Sequence, residues 1–224
     1  MRALAEAGEP EGTWLRADRQ TGGRGRRGRA WVSPEGNLHA STLVRLREGD
    51  PPASTLALVA AVALHDVTSL ALNQPSPSLG MGTPVLLIKW PNDLLLDGKK
   101  LAGILLERAE DAVIIGFGVN LAHAPEGLDR PSISVSAWTG SAPPQDVILQ
   151  MLAEGFARRL IGWRNEGLAP ISASWIAAAH PIGTVLSTPE GDGLFEGLDE
   201  AGALRLRLTD GAIRLIRAGD VFLV

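Results

Sequence analysis

Residues 23–29 read Gly23-Arg24-Gly25-Arg26-Arg27-Gly28-Arg29, entered through Arg19-Gln20-Thr21 and left through Trp31-Val32-Ser33-Pro34. The stretch selects between two architectures. Its spacing Gly23-x-Gly25-x-x-Gly28 satisfies the dinucleotide fingerprint, which would announce a doubly wound parallel sheet. Such a loop must open directly into a helix, with an acidic residue about 20 positions further on. Here Ser33-Pro34-Glu35-Gly36 is a turn, and residues 37–46 alternate like a strand. A P-loop fails as well, because Arg29-Ala30 follows Gly28 and no Gly-Lys-Ser or Gly-Lys-Thr occurs in the chain. Four guanidinium groups within residues 24–29 would repel one another in a packed element, so the stretch is a loop held open for an anion, a phosphate or a carboxylate. The plain alternative is a solvated Arg-Gly segment that adheres to RNA. Its place between two strand-like segments of a globular sequence disfavours that.

Composition narrows the field. A chain of 224 residues can hold one large domain, or a domain and a small module. Its apolar share of 45% and charged share of 21% are ordinary globular values, and a net charge of −4 argues against general polyanion binding, which makes the Arg cluster a local feature. The absence of cysteine excludes disulfides, thiolate metal sites and cysteine nucleophiles. The N-terminus has no apolar signal region, and the longest apolar run, Leu56 to Leu64, stops at His65-Asp66, short of the roughly 20 residues of a membrane span. A cytoplasmic protein without a membrane partner is expected. The four histidines, His39, His65, His123 and His180, lack metal-ligand spacing, and none is taken as a ligand. No metal site built by the protein is expected.

Outward from the Arg loop, residues 2–8 read as a short helix closed by Gly8, and 13–17 as a strand. A helix from about Asp50 or Ser54 to Leu72 follows, with Leu56, Val59, Ala60, Ala63, Val67 and Leu70 on one face. Residues 73–84 read as loop and 85–90 as a buried strand. Residues 94–96 and 101–107 form a hairpin turning at Asp97-Gly98-Lys99, and 113–119 another strand. Residues 125–144 are mostly loop, and 145–163 and 169–179 are helices. Beyond His180-Pro181, five short strands separated by Gly191-Asp192-Gly193, Glu200-Ala201-Gly202 and Asp210-Gly211 describe an SH3-like barrel. The expected fold is α+β: a mixed sheet covered by helices over residues 1–180, and a small barrel over 181–224.

Three further segments are too polar, or too small, for the strands they occupy. Lys89-Trp90-Pro91-Asn92-Asp93 sets a cation, an amide and a carboxylate together. Lys99-Lys100-Leu101-Ala102-Gly103 follows a lysine with residues small enough to admit a ligand. Gly116-Phe117-Gly118-Val119-Asn120 puts two glycines inside a strand. Each alone has a dull explanation; together they suggest one crevice.

With the Arg loop, these blocks resemble the biotin protein ligase family in its order: Gly-Arg-Gly-Arg-Arg-Gly-Arg at 23–29 with Trp31, Lys-Trp-Pro-Asn-Asp at 89–93, Lys-Leu-Ala-Gly-Ile-Leu at 100–105 with Glu107, and Gly-x-Gly-x-Asn at 116–120. The resemblance covers residues 1–120 closely. It extends loosely to Phe195-Glu196-Gly197-Leu198-Asp199 and Ala218-Gly219-Asp220-Val221. It implies the class II aminoacyl-tRNA synthetase/biotin ligase-like fold. It also implies a ligase that joins biotin to the α-phosphate of ATP and passes biotin from biotinyl-AMP to a lysine of a biotin carboxyl carrier domain, with Mg2+ brought by ATP. Arg24, Gly25 and Arg26 would close over biotin and the acyl phosphate, and Gln20 would touch the biotin ring. Lys100 would hold carboxylate and phosphate oxygens, and Gly103 would leave room for biotin. Arg26, Arg29, Trp31, Asn92, Lys100 and Asn120 would face the nucleotide. Asp93 is either the base for the incoming lysine or a structural hydrogen-bonding group.

One departure matters. The family begins upstream with a strand ending in Ser-Thr-Asn that bonds the biotin urea, whereas Met1 here opens inside the next helix. Either the start lies too far downstream or part of the biotin pocket is missing, and weakened biotin binding is the expectation. No winged-helix DNA-binding domain is expected, hence no DNA partner, and a homodimer stays open. The rivals are a lipoate ligase or acyltransferase of the same fold, and a truncated biotin- or nucleotide-binding protein without full activity.

Overall fold

Alternation in Leu38–Arg45 (β2) sets the two faces of the sheet. Leu38, Ala40 and Val44 point to the main core, whereas Leu43 joins a second, smaller cluster on the other face. The computed structural model describes residues 1–72, 83–125, 131–217, 219 and 221–223. Most of the expected loop at 73–84, part of the one at 125–144, and Ala218 and Asp220 of the C-terminal signature lie outside the described residues.

β2 lies in a six-stranded sheet with Trp14–Ala17 (β1), Leu86–Lys89 (β3), Asp93–Leu96 (β4), Lys99–Ala109 (β5) and Ala112–Val119 (β6). The order is β1-β2-β6-β5-β4-β3. Pairings between these strands are antiparallel. Parallel character comes from isolated bridges, Ile88 to Ala179 and Lys100 to Ser132. The hairpin between β4 and β5 turns at Asp97 (φ 47°) and Gly98 (φ 75°), the two left-handed positions that a type I′ turn requires.

Helices Leu56–Leu72 (α2), Gln145–Glu166 (α4) and Ala169–Ala178 (α5) cover one face. With the 3-10 turn Ala53–Thr55 before it, α2 is long and apolar enough to cross a membrane, but its side chains fill the core against the sheet and the other helices. Fully burying a Leu or Val contributes about 1.5–3 kcal/mol, so this helix is the main organiser of the fold. The fully buried Trp163 of α4 donates its indole N–H to Thr55 Oγ1 at 2.8 Å. Arg164 then binds both carboxylate oxygens of Glu11, at 2.6 and 2.8 Å, and Asp50 at 3.1 Å, locking the end of α4 to the loops that flank β1 and β2. On the opposite face a short helix, Arg2–Glu6 (α1), packs through Ala5 against Leu43, Ala109, Ala112 and Ile114.

Two expectations need correction. A five-residue helix, Val135–Thr139 (α3), stands in the stretch read as loop: Ser134 Oγ accepts from Ala137 N and Gly140 (φ 82°) closes it. Gly191-Asp192-Gly193 is not a turn. It begins Gly191–Leu198 (β8), and the chain reverses one step earlier, at Pro189-Glu190. With Val185–Thr188 (β7), Leu204–Leu208 (β9), Ile213–Ile216 (β10) and Phe222–Leu223 (β11), β8 forms a five-stranded antiparallel sheet in the order β10-β9-β8-β7-β11. A register shift between Phe195 and Leu198, around Gly197 (φ 93°), bends it. Phe195 meets Trp175 of α5 edge-on at 6.3 Å, so both sheets share one core.

Candidate active site

The register of the large sheet aligns one row of residues across five strands. Asp93 pairs with Gly103, Gly103 with Gly118, Gly118 with His39, and His39 with Ala17. Cross-strand partners point to the same face, so this row has a bare centre, two glycines, flanked by a carboxylate and an imidazole. The next row, Leu105, Gly116 and Ser41, adds a third glycine. Since α1 covers only the far end of this face, a cavity of about 780 Å3 remains above the glycines.

The Arg loop roofs the near end. Gly25 N donates to Arg29 O at 2.7 Å and Trp31 N to Gly23 O at 3.0 Å, making a small arch whose crest is a 3-10 turn, Arg26–Gly28. A Cβ at Gly23 would lie 2.4 Å from Trp31 O, so only glycine permits this closure. Trp31 leaves the arch and lays its indole on the glycine row. A Cβ on Gly118 would lie 2.6 Å from its Nε1 and one on Gly103 3.3 Å from its Cζ3.

Charge is concentrated at the same place. Lys100 Nζ lies 2.7 Å from Asp93 Oδ1 and 5.4 Å from the centroid of the Trp31 ring. Arg26 Nη1 donates to Asn92 Oδ1 at 3.3 Å and to Gly219 O at 3.1 Å, tying the arch to the β3–β4 turn and to the C-terminal segment. Asn92 is held in turn by donating to Ile104 O. Five cationic residues line the cavity, Arg2, Arg24, Arg26, Arg29 and Lys100, against two acidic ones, Asp93 and Glu107. A chain with net charge −4 thus builds a positive cleft.

Of the residues selected from sequence, Gln20, Arg24, Gly25, Arg26, Arg29, Trp31, Asn92, Asp93, Lys100 and Gly103 all line this cavity. Asn120 does not. It is 1% exposed and donates to Ile133 O at 3.2 Å, so in this structure it braces the end of β6 instead of facing the cleft. Gln20 is exposed, with Oε1 accepting from Ser33 Oγ at 2.8 Å. Ser41, Glu107 and Phe222 join the lining, and sequence reasoning gave them no role. His39 was set aside with the other histidines, yet it stands in the central row.

Residues 5–120 match the Biotin/lipoate A/B protein ligase family, and residues 185–224 match the Biotin protein ligase C terminal domain. The chain belongs to the biotin/lipoate A/B protein ligase family. Among members of this ligase family, it is 42% identical over 223 residues to a biotin--[acetyl-CoA-carboxylase] ligase of Paracoccus denitrificans, covering 93% of this chain and 89% of the relative. It is 32% identical over 229 residues to the ligase of the same name from Mycobacterium tuberculosis, covering 99% and 82%. The biotin protein ligase from Aquifex aeolicus in complex with biotin and ATP superposes with a TM-score of 0.84 at 25% identity, covering 99% of this chain and 94% of that one. In this ligase-family chain the glycine row, the arch and Lys100 belong to segments far apart in sequence, and the antiparallel register brings them together.

Proposed function

We propose that the protein is a biotin--[acetyl-CoA-carboxylase] ligase, which makes biotinyl-AMP and pyrophosphate from biotin and ATP and then biotinylates a lysine of a carboxyl carrier domain. The observation that carries this reading is the convergence of the Arg arch and Lys100 over one glycine floor. Joining a carboxylate to a triphosphate sets anion against anion, and a site preloaded with cations removes that repulsion before the reaction begins. Each charge-assisted hydrogen bond is worth roughly 1.5–3 kcal/mol. Two or three from Arg24, Arg26 and Lys100 lower the barrier by several kcal/mol.

A biotin carboxylate oxygen attacks the α-phosphorus and pyrophosphate leaves. Lys100, a compact charge on a flexible stem, holds the carboxylate and phosphate oxygens, and Asp93 fixes its position. Arg24, Gly25, Arg26 and Gln20 close over biotin; Arg29, Trp31 and Asn92 border the nucleotide. In the second step the ε-amine of the acceptor lysine attacks the acyl carbon and AMP leaves, with Asp93 placed to take the amine proton. Mg2+ arriving with ATP would neutralise part of the triphosphate charge. Among the described residues no group of three or more His, Asp or Glu side chains could hold a metal ion.

The test is ATP-dependent labelling of a carrier domain, followed by mass spectrometry with biotin and with lipoate. Labelling by biotin alone supports the proposal. Labelling by lipoate in its place, or ATP binding with no adenylate, overturns it.

A further inference from the structure

Ser41 brings to the glycine floor a hydroxyl that the fold itself does not use. It pairs with Gly116, which pairs with Leu105, and alternation along β2 turns it to the face of Leu43, away from Ala40 and Val44 of the main core. Its Oγ lies 3.8 Å from where a Cβ on Gly116 would stand, so the hydroxyl is on the cavity side of that glycine, and Ser41 is among the lining residues. Thr42, one residue on, faces the other way and donates its hydroxyl to Thr13 O at 2.9 Å. Among the described residues the Ser41 hydroxyl has no such partner. Leu105 and Ile114 of the same lining are apolar, and the charged groups at that end, Arg2 and Glu107, lie 3.9 Å from each other.

Lys100 holds the opposite corner of the floor. Its Nζ lies 3.4 Å from where a Cβ on Gly103 would stand. Gly103 pairs with Gly118, Gly116 is two residues from Gly118 on β6, and Ser41 is the partner of Gly116 on the next strand. Two strand spacings across and two residues along make a diagonal of about 12 Å from Gly103 to Ser41. In biotin the carboxyl carbon and the urea carbonyl are separated by an alkyl chain and a fused ring, about 10 Å when extended. One molecule held by its carboxylate at Lys100 thus reaches Ser41 with its far end. Resting on the proposed function, we infer that Ser41 is a specificity-determining residue, whose hydroxyl bonds the cyclic urea of biotin. A hydroxyl can donate to the urea oxygen or accept from a urea N–H. Lipoate has a comparable chain and no urea, and a site built to bond a polar group rejects the analogue that lacks it. Biotin on this diagonal takes the place that the Trp31 indole holds over Gly118.

Calorimetry on the full chain tests this with three ligands: biotin, ATP, and the thiolane pentanoic acid that keeps biotin's chain and sulfur ring without the urea. The parent should bind the thiolane acid about tenfold more weakly than biotin, or weaker still. Ser41→Ala should lose about tenfold in biotin affinity, the worth of one hydrogen bond, and keep the parent's affinity for the thiolane acid and for ATP. A parent that binds both acids equally overturns the assignment whether or not the variant folds. Ser41→Ala with its biotin affinity intact overturns it too, and so does an equal loss for both acids, which would make Ser41 a support for the floor. A parent that binds neither biotin nor ATP overturns this assignment and the proposed function together; a parent that forms biotinyl-AMP, beside a Ser41→Ala variant that binds biotin equally well, overturns Ser41 alone.

Discussion

Lys100 Nζ lies 2.7 Å from Asp93 Oδ1, at the edge of a floor made of Gly103 and Gly118. The proposed reaction gives Lys100 the two anions to hold and Asp93 the acceptor amine, so the two members of the pair should separate kinetically. Lys100→Ala removes the cation and should slow adenylate formation about tenfold to a hundredfold, the worth of one charge-assisted contact. Lys100→Arg should rescue little, because a planar fork cannot replace the ammonium beside Asp93. Single-turnover release of pyrophosphate reads both.

Asp93→Asn keeps the shape of the side chain and removes its charge. A base for the acceptor lysine predicts that biotin transfer to the carrier falls more than adenylate formation. A role confined to holding Lys100 predicts an equal fall in both steps.

Arg26 joins the arch to Asn92 and to Gly219 of the C-terminal segment. Arg26→Ala should loosen that roof and let biotinyl-AMP escape into solvent. Filtration of a single-turnover mixture checks this: adenylate should appear in the filtrate of the variant and stay with the parent protein.

Gly118→Ala places a methyl 2.6 Å from the Trp31 indole. The fold should persist, since Gly118 lies in an ordinary strand, while Trp31 is lifted from the floor and substrate binding weakens. Tryptophan emission that shifts relative to the parent, with little change in melting temperature, is the expected signature.

Acid should act far from the cleft. Burial pushes Glu11 upward, but the bond and charge of Arg164, the Arg45 N–H and the Arg47 charge together bring it below its ordinary 4.5. The lowered folded-state value means that this contribution to stability is fully present above the unfolded value. It is lost as pH falls through the folded one. Glu11→Gln should flatten the decline of stability in that acidic window. Arg164→Ala should cost about 3 kcal/mol at neutral pH, because it removes the guanidinium that Glu11 and Asp50 share. Urea unfolding across pH checks both.

Much of this was legible in the sequence because it is local. Strand periodicity, the Asp97-Gly98 turn and the polar blocks at strand ends each lie within a dozen residues. What was hidden depends on pairing between distant strands. Gly103 and Gly118 are register partners, and only that pairing makes the two glycines one floor. Asn120 reads as a ligand residue in a Gly-x-Gly-x-Asn block, yet the carbonyl of Ile133, brought in by the segment before α3, claims its amide. The short helix α3 rests on one side-chain cap and five residues, too little periodicity to register.

The central claim is that fixed cations gathered over the glycine floor bring a carboxylate against the α-phosphate. Mass spectrometry of the protein mixed once with biotin and ATP tests it most directly, with Lys100→Ala alongside. The account predicts protein-bound biotinyl-AMP in the parent and a large loss in the variant; equal adenylate in both, or none in a parent that binds both substrates, would contradict it.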